Sequence, residues 1–393
     1  MTEMEQATMT APARRPHGPG MPWVRAQATA RDLAGPLPAE RTTPDAAIGR
    51  ILAAPLRAAV AVPAFDTAAM DGYAVRGPGP WQVTGRLLAG PGEPATMRPG
   101  TATEIGTGAV VPAGAAAILP YEHCTRAGDR VTGEIRGPHI RRAGEDLNPG
   151  DLLVDAGRPV TAATAAAAVQ AGVEELCTHR PPAVALFVTG DEVITSGQPG
   201  PGQVRDSFTG LVTAVTARAG GRLAGSTRLP DRPEALVTAL ESADAEVIAV
   251  SGSSSAGAAD HLHDVLAELG ATWHVRGVAC RPGHPQGLAE LPDGRWVVSL
   301  PGNPYAGLVA ALTLLEPLLS ALAGRAPAPL ASGPVTGATQ LYADGVRLVP
   351  VSGTSIVPGA RAGSLHTAAA ADFLAALPAT WRSGDPAPLL RIP

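Results

Sequence analysis

The 393-residue sequence contains no lysine, and all thirty of its basic side chains are arginines. Schiff-base chemistry on a lysine amine is therefore excluded, and with it pyridoxal-phosphate catalysis in its usual form. A GxxxxGK[ST] phosphate loop is excluded for the same reason. Asparagine is confined to Asn148 and Asn303. The three cysteines, Cys124, Cys177 and Cys280, lie far apart, which argues against a disulfide framework and against a CxxC metal site. Residues 1–20 lack the apolar core of a signal peptide and read as a flexible tail. No apolar stretch approaches the ~20 residues needed to span a bilayer, so the expectation is a cytoplasmic protein without membrane contact. A net charge of −5 gives no push toward nucleic acid.

What is present is a globular composition, 45% apolar and 17% charged, rich in alanine, glycine and proline. A chain of this length exceeds one core, so about two to four domains are expected. Residues 21–35 predict a short helix ended by Gly35–Pro36, and 44–53 a further turn or two. Short β-branched pieces then alternate with Pro/Gly turns. Residues 159–173 predict a helix with Thr161 or Thr164 as N-cap. From 179 the rhythm changes: the apolar runs 182–188, 245–252 and 296–300 alternate with helical stretches at 207–219, 233–242, 260–270 and 304–322. This reads as a parallel, doubly wound sheet. The expected organisation is an α/β multidomain chain. It comprises a helical linking region (21–48 and 141–178), a β-rich domain (49–140), a doubly wound domain (179–325) and a short C-terminal β domain (326–393).

Ligands of doubly wound sheets bind beyond the carboxyl ends of the strands, where three polar loops are expected. VTGDEV offers Thr189, Gly190, Asp191 and Glu192. Its glycine admits a phosphate close to the backbone, and its adjacent carboxylates suit Mg²⁺. SGSSSAGAAD (251–260) brings small side chains and Asp260, which also suits the N-cap of the following helix. LPGNP places one of the two asparagines, Asn303, in a tight turn. RPGHP adds Arg281, a fork suited to oxyanions, and His284. The HLH run at 261–263 is not a metal pair, because i and i+2 face apart on a helix.

PAFDTAAMDGYAVRG (63–77) resembles the PxFDxSAMDGYA segment of the molybdopterin molybdenumtransferases, the MoeA-type enzymes and the gephyrin E domain. The resemblance continues in order over about residues 21–325. IGTGAVVPAGAAAILPYE (105–122), RRAGEDLNPGDLLVDAGRPV (141–160), VTGDEV, SGSSSAGAAD, RPGHP and LPGNP are each similar to a segment of that family. Each piece alone is weak; the ordered set is specific.

The resemblance implies a four-domain homodimer that inserts molybdate into adenylylated molybdopterin with Mg²⁺ and releases AMP. Its site is implied to lie between the doubly wound domain of one subunit and the β-rich domain of the other. Asp71, Glu192, Asp231 and Asp260 are the implied catalytic residues, with Asp191 and Glu192 holding the metal. Asp71 and Thr107 would come from the partner subunit. The implied binding residues also include Asp146, Thr189, Gly190, Ser251, Gly252, Ser255, Arg281, Gly283, His284, Pro301, Gly302, Asn303, Pro304 and Ser364. The adenylyltransferase of the pathway is a further implied partner. The sequence departs from the family where Gly252–Ser253 replaces a double glycine, where Arg281 and His284 replace two lysines, where Phe208 replaces an asparagine, and in a short C-terminus. A non-catalytic molybdopterin-binding or carrier protein is the alternative these departures motivate.

Overall fold

The structure, a computed structural model, describes residues 20–252 and 261–393. The chain divides into two compact units, one formed by residues up to Glu40 together with His179–Pro393, the other by Arg41–Thr178.

In the larger unit four strands run parallel, in the spatial order Arg222–Leu229, Ala183–Thr189, Val247–Ser251, Trp296–Leu300. Every residue of the last two is buried, as expected of parallel strands covered on both faces. Alternate residues serve opposite faces. Val184, Leu186, Val188, Ala249, Val298 and Leu300 belong to one core; Phe187, Ile248, Val250 and Val297 belong to the other. The helix Phe208–Ala219 and the segment 304–322 cover the first face, and Pro233–Ser242 and Leu262–Glu268 the second. The sheet is not wholly parallel. Gly287–Glu290 and Thr272–Arg276 extend it antiparallel beyond Trp296–Leu300. These two short strands are joined without a helix, so the strand–helix alternation that signals parallel pairing breaks down there.

The segment 304–322 is α-helical at both ends, Pro304–Ala310 and Glu316–Leu322, with a π turn at Ala311–Leu315 between them. Pro317 has no N–H for an interior helical bond, and its ring crowds the carbonyl four residues back; a widened turn just before it relieves both. Within this 19-residue stretch an 18-residue window has a mean hydropathy of 1.6, so by length and composition it does reach a bilayer-spanning helix, contrary to the sequence expectation. It is 78% buried in the larger unit and serves as a core helix.

The helix Trp23–Asp32 packs on that segment. Trp23, Ala26 and Ala30 are buried in the first core, and the Trp23 indole N–H donates to Thr313 Oγ1 at 3.1 Å. The helix Trp23–Asp32 therefore packs with the doubly wound core, while Ala39–Thr42 pairs with Leu176–His179. Residues of the C-terminal region also join this unit through a shared sheet. Val346–Ser352 pairs with Phe373–Pro378 on one side and with Val278–Arg281 on the other; the latter in turn pairs with Met21–Pro22.

The smaller unit carries a six-stranded sheet in the order Ala117–Pro120, Gly72–Arg76, Thr101–Ile105, Trp81–Leu87, Arg130–Gly133, Cys124–Ala127. Apolar side chains pack on both faces: Ala74, Ile105 and Ile118 on one side; Tyr73, Val75, Trp81, Leu119 and Val131 on the other. Beside it, Ala47, Leu52 and Leu56 pack with Val160, Ala165, Ala168 and Leu176. The helix Ala162–Gln170 in that cluster is capped by Thr161, whose Oγ1 accepts from the Thr164 N–H at 3.1 Å.

Two substitutions test the Trp23 anchor. Trp23→Ala should cost about 3–5 kcal/mol, the range for emptying a core aromatic site. Thr313→Val leaves the buried indole N–H unpaired and should cost about 1–3 kcal/mol. Urea unfolding followed by far-UV circular dichroism measures both. Equal, near-zero losses would show that the helix is not anchored there.

Candidate functional site

Three strand ends of the larger unit meet at one rim. After Ala183–Thr189 the chain turns through Gly190 at φ +134°, and after Val247–Ser251 through Gly252 at φ +98°. Thr189 Oγ1 donates to the Ser251 carbonyl at 2.9 Å, and the Gly252 N–H to the Leu300 carbonyl at 3.2 Å. A Cβ on Gly252 would lie 2.5 Å from Thr189 Oγ1, and one on Gly302 would lie 3.1 Å from the Gly252 Cα. VTGDE, SG and LPGN are thus pressed together backbone to backbone, as the rule for such sheets predicts. The buried Ser251 hydroxyl has no hydrogen-bond partner among the described residues.

The carboxylates of VTGDE stand on this rim. Asp191 and Glu192 are exposed. The Asp191 N–H donates to Asp231 Oδ2 at 3.4 Å, which brings a third predicted carboxylate to the same turn. A Cβ on Gly190 would lie 2.7 Å from Glu192 Oε2, so the Glu192 carboxylate folds back against the glycine. Among the described residues no three His, Cys, Asp or Glu side chains form a closed metal cage. One or two carboxylates completed by substrate oxygens is the usual way proteins hold Mg²⁺, and Asp191 and Glu192 are the exposed carboxylates of this turn. Ser255 and Asp260 lie outside the described residues.

The LPGNP turn opens the helix Pro304–Ala310 with Pro301 buried and Gly302 and Asn303 exposed. A C-terminal segment docks on it. The Tyr305 N–H donates to the Ala362 carbonyl at 3.0 Å, the Tyr305 hydroxyl to the Leu348 carbonyl at 3.0 Å, and Gly363 lies beside Asn303 Oδ1. Ser364 follows, with its Oγ 2.7 Å from His366 Nδ1. RPGHP divides its residues. Arg281 is exposed, with its guanidinium 5.4 Å from the Tyr342 ring centroid, and Gly283 packs against Val309. His284 is only 6% exposed, its Nδ1 is 2.8 Å from the Val278 carbonyl, and its ring lies under Gly20 and Gly277. The imidazole is a packed structural group and does not present itself to a ligand. Nearby, burial pushes the Cys280 thiol up to about 12, which keeps it protonated.

In the smaller unit the predicted pair Asp71 and Thr107 meets. Asp71 Oδ1 accepts from the Thr107 N–H at 2.7 Å and from its hydroxyl at 2.9 Å. These two donors, the backbone one first, hold the Asp71 carboxyl below its ordinary range. Asp146 is ion-paired with Arg141, and Asp66 with Arg142 and the Ala143 N–H. Asp146 therefore closes a local loop, with its charge already matched. Sequence reasoning missed Arg228, whose guanidinium reaches the Gly190 and Asp191 carbonyls. An arginine on an exposed strand of an arginine-only chain gives no pattern to notice.

The chain is similar to known proteins over both units. A profile of the MoeA N-terminal region (domain I and II) matches residues 21–172, and one of the probable molybdopterin binding domain matches 185–321. The molybdopterin molybdenumtransferase of Nostoc sp. is 34% identical over 299 residues, 72% of this chain and 69% of that one. That of Haemophilus influenzae is 31% identical over 293 residues, 71% and 72% of the two chains. The crystal structure of a molybdopterin biosynthesis MoeA protein from Pyrococcus horikosii matches with a TM-score of 0.76 at 25% identity. It covers 95% of this chain and 99% of that chain. By these matches across both units the chain belongs to the molybdopterin molybdenumtransferase family.

Proposed function

We propose that the protein acts in molybdenum cofactor biosynthesis, placing molybdate on the dithiolene of adenylylated molybdopterin and releasing AMP. The observation that carries this reading is the rim, where three glycine-bearing strand ends converge beside Asp191, Glu192 and Asp231. Backbone glycines let a phosphoanhydride lie close to main-chain N–H groups. Asp191 and Glu192 would hold Mg²⁺ there, an ion that neutralises phosphate charge as AMP departs. Arg281 and Ser364 supply a guanidinium and a hydroxyl for oxyanions. Asp71, held ionised by Thr107, accepts a hydrogen bond or proton from the reacting groups. Because its pKa is depressed, that charge is present at neutral pH and is lost only as the pH falls through a value below the ordinary carboxylate range.

The reading includes a homodimer in which Asp71 of one subunit serves the rim of its partner. It also includes a cytoplasmic setting and substrate delivery by an adenylyltransferase. Purified protein given adenylyl-molybdopterin, Mg²⁺ and molybdate should release AMP, and omission of Mg²⁺ should stop release. Ligand binding by calorimetry with no AMP release would replace the enzyme by a molybdopterin-binding protein.

Gly190→Ala forces a side chain into a positive-φ position and into the Glu192 carboxylate. Turnover should fall by about 100-fold, the scale for an ångström of misplacement in a site, and wild-type turnover in this variant would refute the role of the turn. Asp71→Asn and Glu192→Gln should each be inactive. If sites are shared across a two-fold dimer, mixing and re-pairing the two variants should restore roughly a quarter of the wild-type rate. No recovery after verified subunit exchange would place both residues in one subunit's site.

A further inference from the structure

The Glu192 side chain makes no hydrogen bond or ion pair with another described residue; its carboxylate is placed by the turn that carries it and by its rest against Gly190. What fixes that turn therefore decides where the carboxylate stands. Thr189 ties its start to Ser251, and Asp231 takes the Asp191 N–H. Within the loop the Val193 N–H donates to the Gly190 carbonyl at 3.2 Å and the Val204 N–H to the Glu192 carbonyl at 2.9 Å; the neighbouring strand adds a further hold on the Gly190 and Asp191 carbonyls. Arg228 lies in register with Val188, and its guanidinium donates from Nε and Nη2 to the Gly190 carbonyl at 3.3 and 3.2 Å. Nη2 also donates to the Asp191 carbonyl at 3.1 Å. Among the described residues no other donor reaches the Asp191 carbonyl.

The geometry points to Arg228 as a positioning residue that sets the Glu192 carboxylate at the rim. This inference rests on the reading of the rim as the transferase site. A purely stabilising role fits the contacts poorly. The ion pair to Asp191 is long, 3.6 Å, and Asp191 is 73% exposed, so the pair adds little to stability. The planar fork, by contrast, grips two successive carbonyls at once, which a single-point cation does less well. Removing it loosens the turn while the parallel ladder and both cores beneath stay intact.

The test uses the full chain as wild type, Arg228→Met and Arg228→Lys. Arg228→Met keeps the apolar stem and loses every donor. Its kcat for AMP release should drop about 10- to 100-fold, with the KM for adenylyl-molybdopterin within about twofold of wild type. Its melting temperature should be nearly unchanged. Arg228→Lys restores one charged donor group and should recover a substantial part of the loss. Independently of turnover, Mn²⁺ binding followed by electron paramagnetic resonance should weaken by about tenfold in Arg228→Met, in line with the loss from removing an outer support of a metal ligand. Unchanged kcat and unchanged Mn²⁺ affinity in Arg228→Met would overturn the inference. So would a loss of kcat that tracks a lowered melting temperature and is not recovered by lysine, and so would a wild type that binds no Mn²⁺. A wild type that binds Mn²⁺ but releases no AMP sinks the transferase reading instead, and the Mn²⁺ comparison alone then decides the role of Arg228.

Discussion

Thr189, Gly252 and Gly302 stand so close that a β-carbon on Gly252 would strike Thr189 and one on Gly302 would crowd the Gly252 backbone. This approach follows from parallel pairing: Ala183–Thr189, Val247–Ser251 and Trp296–Leu300 run in one direction and end at one level. Each must then turn away over its neighbour, and at Gly252 the neighbouring Thr189 leaves no room for a side chain. The buried faces of the strands, filled by Leu186, Ala249 and Val298 on one side and Ile248 and Val297 on the other, hold that level. The chemistry of the rim is in this sense a by-product of core packing. Small groups are forced inward, and Asp191, Glu192 and Asn303 are left on the outside.

The central strands and most covering helices of the larger unit were legible because they are apolar runs or amphipathic periods bounded by Gly and Pro. Phe208–Ala219 and Pro233–Ser242 fall almost where the pattern puts them. Arg222–Leu229 was not legible. It is an edge strand of small and polar residues, mostly exposed, and carries no alternation for a reader to detect. The fate of Trp23–Asp32 was hidden for another reason. Its partner Thr313 lies 290 residues away, and nothing local says which core an amphipathic helix will choose. The C-terminal strands likewise gave no hint that Val346–Ser352 would pair with Val278–Arg281. At the site, Asp71 and Thr107 could be nominated only by resemblance, since they are separated by 36 residues and joined by a fold. His284 was likewise nominated by resemblance, and its burial beneath Gly20 and Gly277 had no local signal in the sequence.

Arginine does all the cationic work, and the structure uses its fork repeatedly. Arg218 binds Glu316 through two nitrogens at 2.6 and 2.7 Å and also reaches the Arg391 carbonyl at 2.7 Å. Arg295 joins Asp293 to the carbonyls of Leu240 and Ala243. A lysine in either place would give a point charge without the planar reach to several acceptors. Guanidinium also stays charged throughout the working pH range. Acid sensitivity in this protein therefore enters through carboxylates and imidazoles.

The apolar segment 304–322 has a consequence for biosynthesis of the chain itself. By length and composition alone it matches a bilayer-spanning helix, so it must be buried in protein as the chain folds. All four parallel strands precede it in the sequence, with Trp296–Leu300 ending just before it. Part of the surface that covers it is therefore already synthesised when the segment emerges, and the rest, with Leu348, Ala368, Leu374 and Leu390, follows it. Packing on that nascent sheet then takes much of its apolar surface out of water before the chain is complete.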